Sequence, residues 1–182
     1  MSAVKLNTTL GSVTLVGEDS AGSATVTIPK AGVGKVLQVH TFEDNVNAVG
    51  TIAVPRDDTI PQITEGAEFM STVFTPKSAN SVLQIDVKCF IAPSGVNWIV
   101  TSLFRDDDVN ALSSTAEYLA ANTAVGHQTV RAFVALGNLT PRTFSVRAGG
   151  AGSETISFNG TLGVRDYGGA LVSSITITEI GA

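Results

Sequence analysis

Residues 82–91 read VLQIDVKCFI, and apolar and polar side chains alternate along most of this stretch. Its odd positions carry Leu83, Ile85, Val87, Cys89 and Ile91, while the polar residues Gln84, Asp86 and Lys88 occupy even positions. Successive side chains of a strand point to opposite faces of a sheet, so the alternation predicts a strand with one face in a core. A clean two-sided pattern of this kind is typical of antiparallel sheets.

The same period of two recurs along the chain on both sides of this stretch. It predicts further strands at 35–42, 68–74, 97–104, 128–135, 143–148 and 173–180, with turn-forming residues between them. Residues 114–122 could form a short helix, and Asn159-Gly160 is the strongest hairpin-turn signal. About eight short strands at regular spacing predict an all-β fold, an antiparallel β-sandwich or jelly roll.

Composition supports this fold class and excludes two others. Val, Ile and Thr make up 54 of the 182 residues, and β-branched side chains fit a pleated sheet better than a helix. A mostly helical protein is therefore excluded. The hydrophobic content of 43% is ample for a packed core, which excludes disorder of the whole chain.

Charge and cysteine content narrow the function classes. The net charge is −5 and the 11 basic residues form no cluster, so nucleic acid is not an expected partner. No apolar run approaches the ~20 residues that cross a bilayer, and the first ten residues show no secretory signal. Cys89 is the only cysteine, which excludes a disulfide and a cysteine zinc site within one chain. We expect no cofactor, and a buried, inert Cys89 thiol.

The chain divides into a short N-terminal unit and a larger sandwich. Residues 1–33 predict a small β-hairpin that buries too little apolar surface to be stable alone, so it is interpreted as an attachment segment. Residues 34–182 form the predicted jelly-roll sandwich, with its core in 67–182 and an irregular insertion at 43–66.

The acidic turn Asp106-Asp107-Asp108 is the first candidate binding site. Asp106, Asp108, Asn110 and Glu117 fall at positions 1, 3, 5 and 12 of a calcium-loop frame. Position 6 is alanine where the frame needs glycine, so a charged turn is the favoured interpretation and a Ca²⁺ site of another geometry is the alternative. No metal site is assigned.

Other chemistry-bearing residues have weaker support. Trp98 could stack on a sugar ring, with packing in the core or an interface as the alternative. The two histidines, His40 and His127, have no second ligand at metal spacing, and no G-x-S-x-G elbow is present. We expect no catalytic residues.

Five motifs occur in order along residues 34–182: GKVLQV (34–39), FTPKSANS (74–81), LFRD (103–106), FSVRAG (144–149) and SSITITEI (173–180). Together with FNG (158–160), this set resembles the C-terminal modules of tailed-bacteriophage fibre and appendage proteins. GSVTL (11–15) and ATVTIP (24–29) are similar to a repeat-type segment near the start of many phage fibre proteins.

The resemblance implies a homotrimeric sandwich of the tumour-necrosis-factor or complement-globular-head kind, displayed on a virion surface. A chain this short favours a compact head fibre, capsid decoration or tail appendage over a long tail fibre. Other virion proteins would hold residues 1–33. Because the strand faces are committed to the core and the trimer axis, we expect any contact with host-surface glycans or proteins to come from turns at one end of the sandwich, with 93–97, 106–110 and 149–153 as the candidates. The alternatives are a virion-associated polysaccharide-degrading enzyme and a free trimeric lectin.

Overall fold

The computed structural model of the chain describes residues 34–121, 124–152 and 154–181. Within these ranges it contains β1 (Val36–Asp44), β2 (Ala48–Gly50), β3 (Ala67–Phe74), β4 (Val82–Pro93), β5 (Asn97–Arg105), β6 (Ser113–Leu119), β7 (Gly126–Ala135), β8 (Arg142–Gly150), β9 (Ile156–Phe158), β10 (Gly160–Thr161), β11 (Val164–Arg165), a 3₁₀ turn (Tyr167–Gly169) and β12 (Ser173–Ile180). The predicted attachment segment 1–33 lies outside the described residues and stays a prediction.

The eight long strands form two antiparallel sheets. Sheet 1 has the order β1-β12-β4-β7. At one end of this sheet the short strand β9 pairs with β4 beyond the start of β12, and the short strand β2 pairs with β9. Sheet 2 has the order β3-β8-β5-β6. Apart from β5 and β6, neighbours within each sheet are not consecutive in sequence, which is typical of the strand order of a jelly roll. The predicted all-β antiparallel sandwich is confirmed.

The core lies between the sheets and follows the alternation of the strands. Leu83, Ile85 and Cys89 of β4 are fully buried and face Phe144 and Val146 of β8 within one apolar cluster. Gln84, Asp86 and Lys88 point to the opposite face of sheet 1. Strand β12 begins at Ser173 and ends at Ile180, as predicted, and every second side chain along it is buried.

The helix expected at residues 114–122 is wrong. Residues 113–119 form β6, an edge strand that pairs with β5 from Ser113↔Leu103 to Leu119↔Asn97. Its side chains alternate between partly buried and exposed positions, so its true period is two. The Ala, Glu and Leu that favoured a helix were overridden by pairing with a central strand.

The expected insertion at 43–66 contains the end of β1 and the short β2, and its remainder lies on the outer face of sheet 2. The Val54 N–H donates to the Gly150 carbonyl at 2.9 Å, and the Gly66 N–H donates to the Ala53 carbonyl at 3.1 Å. A Cβ atom at Gly149 would collide with the Ile52 carbonyl oxygen. Glycine at 149 therefore allows this segment, residues 51–66, to approach the sheet.

The hairpin turn lies three residues after the predicted Asn159-Gly160. Asn159 is fully buried and has φ 54°, and its amide donates to the Asp44 carbonyl at 2.9 Å and accepts from the Ser173 hydroxyl at 2.7 Å. The two-residue turn is Leu162-Gly163, where β10 pairs with β11 and both residues have positive φ. The Asn-Gly pair therefore serves as a buried link between β9 and β12.

Replacing Leu162 by asparagine should stabilise the protein. Leu162 has φ 49° and is 56% exposed, so it adopts the left-handed conformation without burying its side chain. Two-residue hairpin turns with positive φ favour Asn-Gly, and relief of this strain is worth about 1 kcal/mol. Urea unfolding of Leu162→Asn should show a higher midpoint than the parent. Leu162→Ala, which keeps the steric conflict, is the control, and equal gains in both variants would contradict the strain argument.

Candidate functional site

The sandwich has two distinct ends, and the candidate loops are divided between them. The chain enters β1 at Gly34, and this end also carries the turns at 75–81, 106–112 and 136–141. We call it the Gly34 end. The opposite end, here the Gly95 end, carries the turn at 94–96 and the long connection from β8 to β12. The Ala151 N–H donates to the Trp98 carbonyl at 3.0 Å, so the candidate loops at 93–97 and 149–153 are neighbours.

The acidic turn lies at the Gly34 end, and two of its three carboxylates bind arginines of the same chain. Asp106 accepts from the Arg142 guanidinium at 3.0 Å and from the Thr143 N–H at 2.8 Å. Asp108 pairs with Arg105 at 2.7 Å. These contacts fix the turn between β5 and β6. Asp107 is exposed beside a polar groove of about 320 Å³ on the outer face of sheet 2.

The calcium-loop frame is not assembled in the fold. Glu117, its twelfth position, lies in β6 opposite Ile99, near the Gly95 end. Asn110 instead forms an isolated bridge with Gln62 beside the acidic turn. Within the ranges that the structure describes, no group of three or more His, Cys, Asp or Glu side chains could hold a metal ion.

The remaining single-residue candidates have structural partners. His40 Nε2 lies 2.9 Å from the Thr72 hydroxyl and the ring contacts Phe74 edge-on, while His127 stacks on Phe90 with ring centroids 5.1 Å apart. Cys89 is fully buried, and burial raises the pKa of its thiol to about 12. At neutral pH the thiol is protonated, which confirms the inert interpretation. In the described part of the chain, no helix is long and apolar enough to cross a membrane.

A buried carboxylate that the sequence did not reveal joins sheet 1 to the β3–β4 turn at the Gly34 end. Glu179 of β12 is fully buried and accepts hydrogen bonds from the Gln38 amide at 2.7 Å and the Ser81 hydroxyl at 2.6 Å. It also accepts from the backbone N–H groups of Lys77 and Ser78, at 2.9 to 3.0 Å. One side chain thus fastens β1, β12 and the β3–β4 turn together.

The hydrogen bonds of Glu179 outweigh its burial. Burial alone raises the pKa of a carboxyl group, but the bonds from Ser81, Lys77, Ser78 and Gln38 lower the pKa of Glu179 below its ordinary value of 4.5. The ionised form is therefore favoured by folding. Its stabilising effect is complete above the unfolded-state pKa and is lost as the pH falls through the lower folded-state pKa.

Glu179→Gln should reduce the free energy of unfolding by about 2 kcal/mol at pH 7, because its amide nitrogen cannot accept from the backbone donors. The difference from the parent should shrink once the pH falls below about 4.5. Urea unfolding at fixed protein concentration across pH 3 to 7 measures both effects. Glu43→Gln, at an exposed position of β1, should have little effect, and a Glu179→Gln penalty that stays constant with pH would contradict the role of the ionised form.

An aromatic cluster with one arginine lies on the outer face of sheet 2 at the Gly95 end. Trp98 and Tyr118 are cross-strand neighbours in β5 and β6, with ring centroids 5.6 Å apart and planes at 54°. The Arg56 guanidinium carbon, from the segment that covers this sheet, lies 4.5 Å from the centroid of the Trp98 ring. Trp98 is half-buried and Tyr118 is 52% exposed. We call these three residues the Arg56 cluster.

Of the predicted site residues, only Trp98 lies at the Gly95 end. Asp106, Asp107, Asp108 and Asn110 lie together at the Gly34 end. The two partners of Trp98 were missed. Pairing residues 113–119 with β5 as a neighbouring strand would have placed Tyr118 opposite Trp98, but these residues were interpreted as a helix. Arg56 gives no local signal, since its position depends on how residues 51–66 lie over sheet 2.

The strand order and antiparallel pairing place this chain among antiparallel jelly-roll sandwiches. Residues 41–182 match the Pgp3 C-terminal domain family, and the chain belongs to that family. No phage-specific family matched, so the resemblance expected from the sequence is confirmed for its jelly roll alone. Comparison with curated proteins found no match.

Several solved structures are similar at low sequence identity. The Eiger TNF of S. frugiperda is 13% identical with a TM-score of 0.44, covering 81% of this chain and 94% of that one. The sugar-binding EclA C-terminal domain is 16% identical with a TM-score of 0.34, covering 71% and 81%. An infectious bursal disease virus structure, Gx strain, is 15% identical with a TM-score of 0.40, covering 95% and 43%.

Proposed function

We propose that this chain is a non-enzymatic, homotrimeric structural module, a short spike on the surface of a tailed-bacteriophage virion. Other virion proteins hold it through residues 1–33, and it contributes to adhesion to the host surface. Membership of the Pgp3 C-terminal domain family supports a structural jelly-roll module. The phage particle and the host contact are supported by the resemblance of the sequence motifs alone.

The observation that carries the proposal is the polarity of the sandwich. The Gly34 N–H donates to the Gly181 carbonyl and the Gly181 N–H to the Lys35 carbonyl, both at 2.8 Å, which fixes where the preceding residues join. The long connection from β8 to β12 lies at the other end, whereas the connection from β1 to β3 runs back along the outer face of sheet 2 as far as the 106–112 turn. Surface loops carried by a rigid scaffold are where binding residues concentrate. An attachment segment at the Gly34 end would therefore leave the Gly95 end facing outward.

The outer face of sheet 1 supports self-association. One row across its four strands consists of Val39, Thr178, Gln84 and Phe133. Phe133 is 63% exposed and Val39 is 60% exposed. The next row holds the Asp86–Arg131 ion pair, beside a groove of about 560 Å³. The exposed apolar side chains of Val39 and Phe133, with polar and charged groups around them, are the part of this face that a second copy would cover.

The full chain should elute as a trimer of about 56 kDa, three times its mass of 18.7 kDa, when light scattering follows size exclusion. Phe133→Lys should lower the mass toward that of one chain, because association would bury an unpaired charge. Val73→Lys, at a position of sheet 2 that is 58% exposed, is the matched control and should keep the trimer. A monomeric parent would reject the trimer, and an intact Phe133→Lys trimer would reject this face.

A chain of residues 34–182 should keep the trimer mass and lose attachment to the particle. The sandwich strands begin at Val36, so the truncation removes no described strand. The measurement is co-sedimentation with particles that lack this protein, compared with the full chain. Equal attachment by the truncated chain would refute the assignment of residues 1–33. Loss of the trimer in the truncated chain would show that residues 1–33 act in assembly instead.

Two of the three carboxylates of the acidic turn, and Glu179, have structural roles. Asp106 and Asp108 are bound by arginines, and Glu179 is enclosed by four donor residues. A general acid or base must reach a substrate proton, and these carboxylates are committed to protein donors. Their positions support a binding or display module over the polysaccharide-degrading alternative.

A further inference from the structure

We infer that the Arg56 cluster binds a carboxylate-bearing sugar ring, such as a uronic or sialic acid unit of a surface glycan. The inference rests on the proposed adhesive function and names the ligand class for it. It depends on three properties of the cluster: a guanidinium that has no carboxylate partner among the described residues, an exposed aromatic ring, and a position at the Gly95 end.

The Arg56 guanidinium lies over the Trp98 ring and forms no ion pair or hydrogen bond with any described residue. Four other arginines, Arg105, Arg131, Arg142 and Arg147, each pair with a carboxylate of the chain. Stacking on an indole orients a guanidinium and leaves its N–H donors at the ring edge available. Two parallel N–H groups match a carboxylate, so the cluster presents an oriented anion-binding group.

The aromatic part of the cluster supplies a surface for the sugar ring. Arg56 occupies one face of Trp98, while Tyr118 lies beside it and is 52% exposed. A pyranose has a C–H face that packs on an aromatic ring, and the polar edge of the sugar remains free for hydrogen bonds. A ring stacked on Tyr118 would bring a carboxylate within reach of the neighbouring guanidinium.

The acidic residues next to Arg56 do not neutralise it through an ion pair. Asp57 accepts from the Thr59 N–H at 2.8 Å and from its hydroxyl at 2.5 Å, which directs one carboxylate oxygen into its own turn. Asp58 forms no ion pair with Arg56. The net charge of −5 acts weakly at a distance, because salt screens exposed charges beyond ~8 Å at physiological ionic strength. Direct contact with the guanidinium therefore decides the preference for an anionic ligand.

Trp98 is the only tryptophan of the chain, so its fluorescence reports on this site. The full chain is titrated with D-glucuronate, N-acetylneuraminate and D-glucose, and ligand-observed NMR saturation transfer is measured in parallel. We expect a saturable response to at least one acid sugar, with a dissociation constant in the millimolar range, and binding of glucose about 10-fold weaker.

Variants separate the guanidinium from the aromatic ring. Arg56→Gln should reduce acid-sugar binding about 10-fold and remove the preference over glucose, and Tyr118→Ala should reduce binding of all three sugars. Arg165→Gln is the matched control, since it removes one positive charge from an exposed residue of β11 that has no ion pair among the described residues. It should bind like the parent.

Absence of a saturable response to either acid sugar would overturn the inference. Equal binding of glucose and the acid sugars, or unchanged binding by Arg56→Gln, would overturn the carboxylate assignment. Trimer mass and attachment to particles are measured separately with the same protein. If the protein is a trimer and attaches to particles but binds no sugar, this inference is rejected and the proposed function stands. If a monomer binds the sugar but does not attach to particles, the proposed function is rejected and this inference stands.

Discussion

The buried Glu179 carboxylate is the contact on which the Gly34 end of the sandwich depends. It is the point where β12, β1 and the β3–β4 turn meet, since its donors are Gln38 of β1 and Lys77, Ser78 and Ser81 of the turn that leads from sheet 2 into sheet 1. A buried carboxylate is costly unless charge-assisted hydrogen bonds satisfy it, and here backbone donors of the turn do so. The same contact ties the start of β1 to the end of β12, and the chain enters the sandwich beside these two strands. A buried polar group therefore holds this end of the sandwich together, in addition to apolar packing.

A strand could be predicted from the sequence where one of its faces lies in the core and the other is exposed to solvent. Strand β4 has core on one side and polar side chains on the other, and its alternation predicted both the strand and its buried residues. Strand β6 was missed because it lies at a sheet edge, where no side chain before Leu119 is fully buried and the contrast between faces is weak. Asn159-Gly160 has turn chemistry, but tertiary hydrogen bonds to Asp44 and Ser173 gave it a different role.

The candidate site was less predictable, because its parts come from segments distant in sequence. Trp98 was visible as the only tryptophan, yet its partners are Tyr118 across a strand pair and Arg56 from an irregular segment. The acidic turn was visible as three consecutive carboxylates, but nothing in sequence shows that Arg105 and Arg142 bind two of them. Composition identifies which residues could bind a ligand, whereas strand order decides which of them lie together and at which end.

Strand order also separates the two surfaces for which we propose partners. Phe133 lies on the outer face of sheet 1, whereas Trp98 and Arg56 lie on the outer side of sheet 2. A copy seated on sheet 1 would therefore leave the Arg56 cluster accessible on each subunit. A single shallow site of this kind binds weakly, but three copies on one rigid trimer raise the effective concentration of the second and third contacts when glycan spacing matches. Weak individual sites would then be sufficient for the proposed adhesion, and no deep pocket would be required of the sandwich.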